Sequence, residues 1–107
     1  MKPIVDEVAR KFRDALSECI SDFEGLYVFG SHVRGDATDE SDVDIVVILG
    51  EENAIMPDDF CEVLSQIRDD YYEIVDLDVH RRTKESIKRN YVFFNEVVNK
   101  GVYYGRA

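Results

Sequence analysis

The amino-acid sequence predicts a small α/β or α+β fold in which short strands are interspersed with amphipathic helices. Apolar residues recur at helical spacing in three stretches, and three short runs rich in β-branched and aromatic residues stand between them, with glycines and polar clusters at the joins. A chain of 107 residues has room for one hydrophobic core, so one domain spanning 1–107 is expected.

Ile4, Val8, Phe12, Leu16 and Ile20 repeat every four residues behind Pro3 and predict a helix over 3–20. Gly25 leads into Leu26-Tyr27-Val28-Phe29, a buried strand that stops at Gly30. Ser31 to Ser41 is polar and reads as a loop, and Asp42 to Leu49 is a second strand ending at Gly50. A further loop over 51–57 closes on Pro57, after which Phe60, Val63, Leu64 and Ile67 mark a helix over 58–70. Tyr72 to His80 alternates as a third strand, which would set Asp76 and Asp78 on one face. Ile87, Tyr91, Phe94, Val97 and Val98 predict a closing helix over 84–99 that Gly101 terminates.

Thirteen basic against 23 acidic side chains give a formal charge of −10, a repulsive background that argues against stable nucleic-acid binding. Bound metal reverses the local sign, so the same acidity does not argue against a phosphate-bearing small molecule. Cys19 and Cys61 sit among apolar residues and read as buried free thiols of a reducing compartment. The N-terminal stretch lacks the continuous apolar run of a signal peptide or spanning helix, and a cytoplasmic protein without membrane contact is expected.

The chemistry concentrates between Phe29 and Asp44. A glycine directly after a buried strand lets backbone approach a ligand, and Ser31 adds a hydroxyl where exposed amides can receive phosphate oxygens. Asp42 and Asp44, two apart at the head of a strand, point one way and repel unless a cation lies between them; magnesium, which takes a few carboxylates and completes its shell with phosphates and water, suits them. Asp76 or Asp78 supplies a third carboxylate, as ligand, general base or both. Arg34 either neutralises triphosphate charge or pairs with Asp36 or Asp39 on the surface. His32 and His80 read as polar surface or satisfied core residues, and the basic run His80 to Lys84 as a solvated helix start.

Gly30-Ser31, ten residues, then Asp42-Val43-Asp44 resembles the signature of the DNA polymerase β-like nucleotidyltransferases. Arg34-Gly35, Ser41 before the aspartates, and the closing Glu96 to Tyr104 are similar to the minimal nucleotidyltransferases within that superfamily. The resemblance implies a mixed, twisted sheet flanked by helices, a nucleoside triphosphate such as ATP held with Mg2+, and metal-binding carboxylates on adjacent strands. Carried onto this chain, it implies Gly30, Ser31, Arg34 and Ser41 at the nucleotide and Asp42, Asp44 and Asp76 or Asp78 at the metal, with its local apolar context favouring Asp76 as the third catalytic acid. It further implies a partner HEPN protein, some relatives being antitoxins that transfer AMP to a toxin tyrosine. A catalytically idle module that masks a HEPN partner, or an enzyme acting on an aminoglycoside-like compound, would leave the same signature. Tyr91, Phe93, Phe94, Tyr103 and Tyr104 read mainly as core, with the last turn expected to leave an apolar edge for a partner or a second copy.

Overall fold

An unbroken β-branched run is the mark of a strand buried on both faces, and Val43–Leu49 (β2) holds that place. Val43, Ile45, Val47 and Leu49 enter the main core, while Val46 and Ile48 enter a smaller cluster on the opposite face. A computed structural model of the chain describes residues 1–50 and 58–107, so the loop expected over 51–57 lies outside the described residues.

Strand β1 (Phe23–Phe29) flanks β2 on one side and β3 (Leu77–Arg82) on the other, with β4 (Val102–Gly105) beyond β1. Only the β2/β3 pairing is parallel; the order β3-β2-β1-β4 is therefore a mixed sheet, as the resemblance implied. Two long helices, α1 (Pro3–Cys19) and α3 (Asp58–Asp70), cover the main-core face. Helix α1 turns Val5, Val8, Ala9, Phe12 and Leu16 inward, and Phe12 meets Phe60 of α3 edge-on at 6.4 Å between centroids. The other face is covered by short pieces, α4 (Lys84–Ile87), α5 (Tyr91–Phe94) and a π-helical turn, Asn95–Asn99, while α2 (Ser31–Arg34) follows the end of β1 and packs Val33 against the main core.

The differences from the sequence reading have local causes. The expected helix over 84–99 is broken, because Thr83 and Ser86 form a reciprocal cap that starts α4 and the Asn90 side chain accepts from the Phe93 amide at 3.1 Å to start α5 afresh. The third strand begins at Leu77 and not at Tyr72; residues 71–74 turn, with Glu73 at φ 62°. Gly25 lies inside β1, where a Cβ would stand 2.7 Å from a Tyr103 ring carbon. Past Gly101 the chain forms a strand, β4, that pairs with β1. Cys19 and Cys61 are exposed, not buried, and no disulfide joins them.

Polar side chains tie the main-core face together. Tyr104 donates to Asp6 at 2.8 Å and Tyr71 to Glu7 at 2.8 Å, fastening β4 and the end of α3 to α1. Arg106 donates to the carbonyls of Ser17, Ile20 and Phe23 at 2.8–2.9 Å, capping the C-terminal end of α1. Among the described residues, no helix is long and apolar enough to cross a membrane.

Candidate active site

In the parallel register of β2 and β3, Asp44 stands opposite Asp78, and partners in register project to the same face. That face is the thinly covered one. Phe29 stands opposite Asp44 on β1, and His80 follows Asp78 two residues along β3. Asp44 is half-buried, and its carboxyl is held above the usual carboxylate range by burial first, then by the charges of Asp78 and Asp42, with His80 opposing. Asp44 and Asp78 are within hydrogen-bonding reach of each other, and Asp78 Oδ2 lies 3.4 Å from His80 Nε2.

Gly30 closes the floor. Its φ of +82° favours glycine, and a Cβ there would run into the Asp44 carboxylate Oδ2. The acid and the backbone turn are thus packed against each other. From Gly30 the chain enters α2, where Val33 and Arg34 donate to the Gly30 carbonyl at 3.1 and 3.0 Å; the first amides of the turn, on Ser31 and His32, have no acceptor within it. A cleft of about 610 Å³ opens above, lined by Phe29, Gly30, Ser31, Arg34, Asp44, Asp78, His80 and residues of α5 and the π-helical turn, a size suited to a small molecule. Arg34 stands at its rim, with Nη1 2.6 Å from Glu96 Oε1 and Nε 3.5 Å from Asp36 Oδ2.

The fold brings Gly30, Ser31, Arg34, Asp44 and Asp78 into one cleft, and separates others expected there. Asp76 precedes β3, lends its carbonyl to the Val43 amide at 2.8 Å, and lines a different cavity with Ile4, His32 and Ser41. Of the two candidates for the third carboxylate, the structure brings Asp78, and not the preferred Asp76, into the cleft beside Asp44, because β3 starts between them. Ser41 likewise serves its loop, its hydroxyl accepting from the Thr38 amide at 2.9 Å and its carbonyl from His32 Nε2 at 2.9 Å. Asp42 is exposed ahead of β2, outside the cleft wall, yet close enough for its charge to act on Asp44. Among the described residues, no group of three or more His, Cys, Asp or Glu side chains is arranged as a finished metal cage.

Glu96 and the aromatic wall escaped the sequence reading. Phe29, His80 and Phe93 stack edge-wise, with centroids 5.5–6.2 Å apart, and Arg82 lies over Phe93 at 5.4 Å. The signal for His80 and Asp78 together was the period-2 spacing on β3; Glu96 gave none beyond its place in the closing motif. The basic run is spent locally, Arg81 lying 5.7 Å over Phe60 and Lys84 3.3 Å from Glu24.

The model of the family described as "Nucleotidyltransferase domain" matches residues 9–104. A protein of Methanocaldococcus jannaschii named "Putative protein adenylyltransferase MJ1379" is 32% identical over 88 residues, 82% of this chain and 83% of that protein. Among solved structures, a toxin-antitoxin with AMP-PNP superposes with a TM-score of 0.60 at 20% identity, over 92% of this chain and 70% of that one. A variant of the toxin-antitoxin MntA-HpeT superposes with the same TM-score at 18% identity, again over 92% and 70% of the two chains; at these identities the likeness is one of fold. A glycine-serine turn packed on a strand acid, a facing acid on the parallel neighbour and the match over 9–104 lead to one conclusion: the chain belongs to the nucleotidyltransferase domain family and is a nucleotidyltransferase.

Proposed function

We propose that this nucleotidyltransferase is a magnesium-dependent adenylyltransferase that moves AMP from ATP to a hydroxyl of a protein acceptor, the hydroxyl oxygen bonding to the α-phosphorus as the α–β bond breaks and pyrophosphate leaves, a tyrosine of a HEPN toxin being the acceptor implied by the resemblance to minimal nucleotidyltransferases. One observation carries it: Asp44 and Asp78 meet across β2 and β3 beside the Gly30 turn. Two adjoining carboxylates, one half-buried, require a cation or a proton between them. Magnesium needs only one or two protein carboxylates and fills its remaining positions with water and substrate phosphate, so an open pair suits it better than a closed cage would.

In this reading Asp44, Asp78 and Asp42 hold the metal, Asp78 taking the place first given to Asp76. Bound there, the ion supplies charge neutralisation at the triphosphate and a more acidic acceptor hydroxyl. The first amides and the Ser31 hydroxyl of the Gly30-Ser31 turn receive phosphate oxygens, Arg34 adds a cation at the rim, and Asp78 accepts the proton of the attacking hydroxyl. Support comes from the name of the archaeal relative, which is that of a protein adenylyltransferase, and from the toxin-antitoxin titles of the fold relatives, one with AMP-PNP. The cytoplasm supplies ATP and magnesium together and is the compartment this function requires.

Incubation of the purified chain with magnesium, α-labelled ATP and a HEPN partner tests it: label appears on a partner tyrosine, and Asp44→Ala abolishes the transfer. The toxin-antitoxin titles of the fold relatives also support a second reading, a module that binds and masks its partner without chemistry. That reading gains if Asp44→Ala leaves partner binding intact and the unaltered chain transfers no label.

A further inference from the structure

Arg34 sits on a four-residue turn at the cleft rim, about half exposed, and a side chain of that length held by nothing would sample many positions. It is held. Glu96 Oε1 accepts from Nη1 at 2.6 Å, and Asp36 Oδ2 lies 3.5 Å from Nε. A guanidinium has five N–H donors in a rigid fork, so these contacts fix its plane and leave the Nη2 hydrogens committed to neither carboxylate.

Glu96 is itself fixed. It lies on the π-helical turn, where the Lys100 amide donates to the Asn95 carbonyl at 3.2 Å, next to Val97, which is wholly buried. Below that turn Gly101 is wedged so tightly that a Cβ would contact the Val97 carbonyl and stand 2.8 Å from the Val28 carbonyl of β1. A π turn has poorer hydrogen-bond geometry than an α turn and is frequent at functional sites. Lys100 Nζ lies 3.8 Å from the other Glu96 oxygen, so the cluster at the mouth of the cleft sets two cations, Arg34 and Lys100, against two carboxylates, Glu96 and Asp36.

We propose that Glu96 is a positioning residue for the transfer reaction: it orients Arg34 so that the unused edge of the guanidinium meets the triphosphate. The inference rests on the nucleotide-binding reading of the cleft and adds to it a residue outside the glycine-serine and aspartate signature. Pre-orientation lowers the ordering cost of binding, so its loss appears in affinity and not in the chemical step.

Titration of the chain with MgATP, followed by calorimetry, tests this with four variants and melting curves as folding controls. Glu96→Ala weakens binding about tenfold, as expected for loss of one well-oriented charge-assisted contact. Glu96→Gln, which keeps the acceptor oxygen, recovers most of that affinity. In an Arg34→Ala background, Glu96→Ala has no further effect; in turnover assays the Glu96→Ala single variant raises KM while kcat stays within about threefold. Equal or tighter MgATP binding by Glu96→Ala would overturn the proposal, as would a loss of affinity that persists without Arg34. Failure of the unaltered chain to bind MgATP would instead remove the functional reading beneath it, a result distinct from either.

Discussion

Asp44 is kept where its charge is disfavoured, half out of water and beside two other carboxylates. Its replacement by Asn therefore removes an unfavourable charge and leaves the packing on Gly30 in place. Asp44→Asn is expected to lower transfer at least about a hundredfold, the scale of losing metal-borne charge stabilisation, while the melting temperature in metal-free buffer stays level or rises. Because the folded pKa is raised above the unfolded value of 3.8, the group favours folding most below that value and loses this as pH rises through the folded pKa. The stability advantage of Asp44→Asn should accordingly grow from below pH 3.8 upward, measured by thermal melts in chelator. Gly30→Ala should cost about 1–3 kcal/mol, from positive φ and from displacing the Asp44 carboxylate, and should abolish activity with it. The backbone turn at Gly30 was legible in the sequence, because a glycine directly after a buried strand marks a bend that other residues resist. The choice between Asp76 and Asp78 was not, since it turns on where a strand begins, and the turn over 71–74 that delays it has no glycine or proline to announce it.

Among the elements, the long ones were legible and the short ones were not. Helices α1 and α3 advertise themselves through repeated apolar positions, and β2 through its unbroken run. Strand β4 has four residues and was hidden because its exposed Tyr103 and buried Tyr104 look alike in sequence; only the register with β1 separates them. The capping side chain of Asn90 similarly divides what periodicity joins. Two fastenings of β4 give predictions at this scale. Arg106→Ala strips the carbonyls at the end of α1 of their donors and should destabilise by about 1–3 kcal/mol in denaturant melts, with MgATP affinity unchanged. The Tyr104 hydroxyl is pushed up from 10 to about 12, by burial first and then by its hydrogen bond to Asp6. A phenol whose folded pKa is raised supports folding below the unfolded pKa and loses that support as pH climbs from 10 to about 12, so Tyr104→Phe should flatten the fall in stability over that window.

For the molecule as a whole, a net charge of −10 makes cations general stabilisers, and the specific contribution of the cleft has to be separated from that background. Magnesium at constant ionic strength should raise the melting temperature of the unaltered chain and not of Asp44→Asn, since a ligand that binds only the folded state stabilises it. The architecture also fixes when the enzyme comes into being. Strands β1 and β2 close an antiparallel hairpin early in the chain, whereas Asp78 arrives on a strand that pairs in parallel after the detour through α3. Closing that long loop is the entropically expensive step, and every other part of the fold can be in order while the acids remain strangers. On the proposed reading of the cleft, a polypeptide emerging from the ribosome is inert until its third strand has docked, which makes reactivity a report on the completeness of folding.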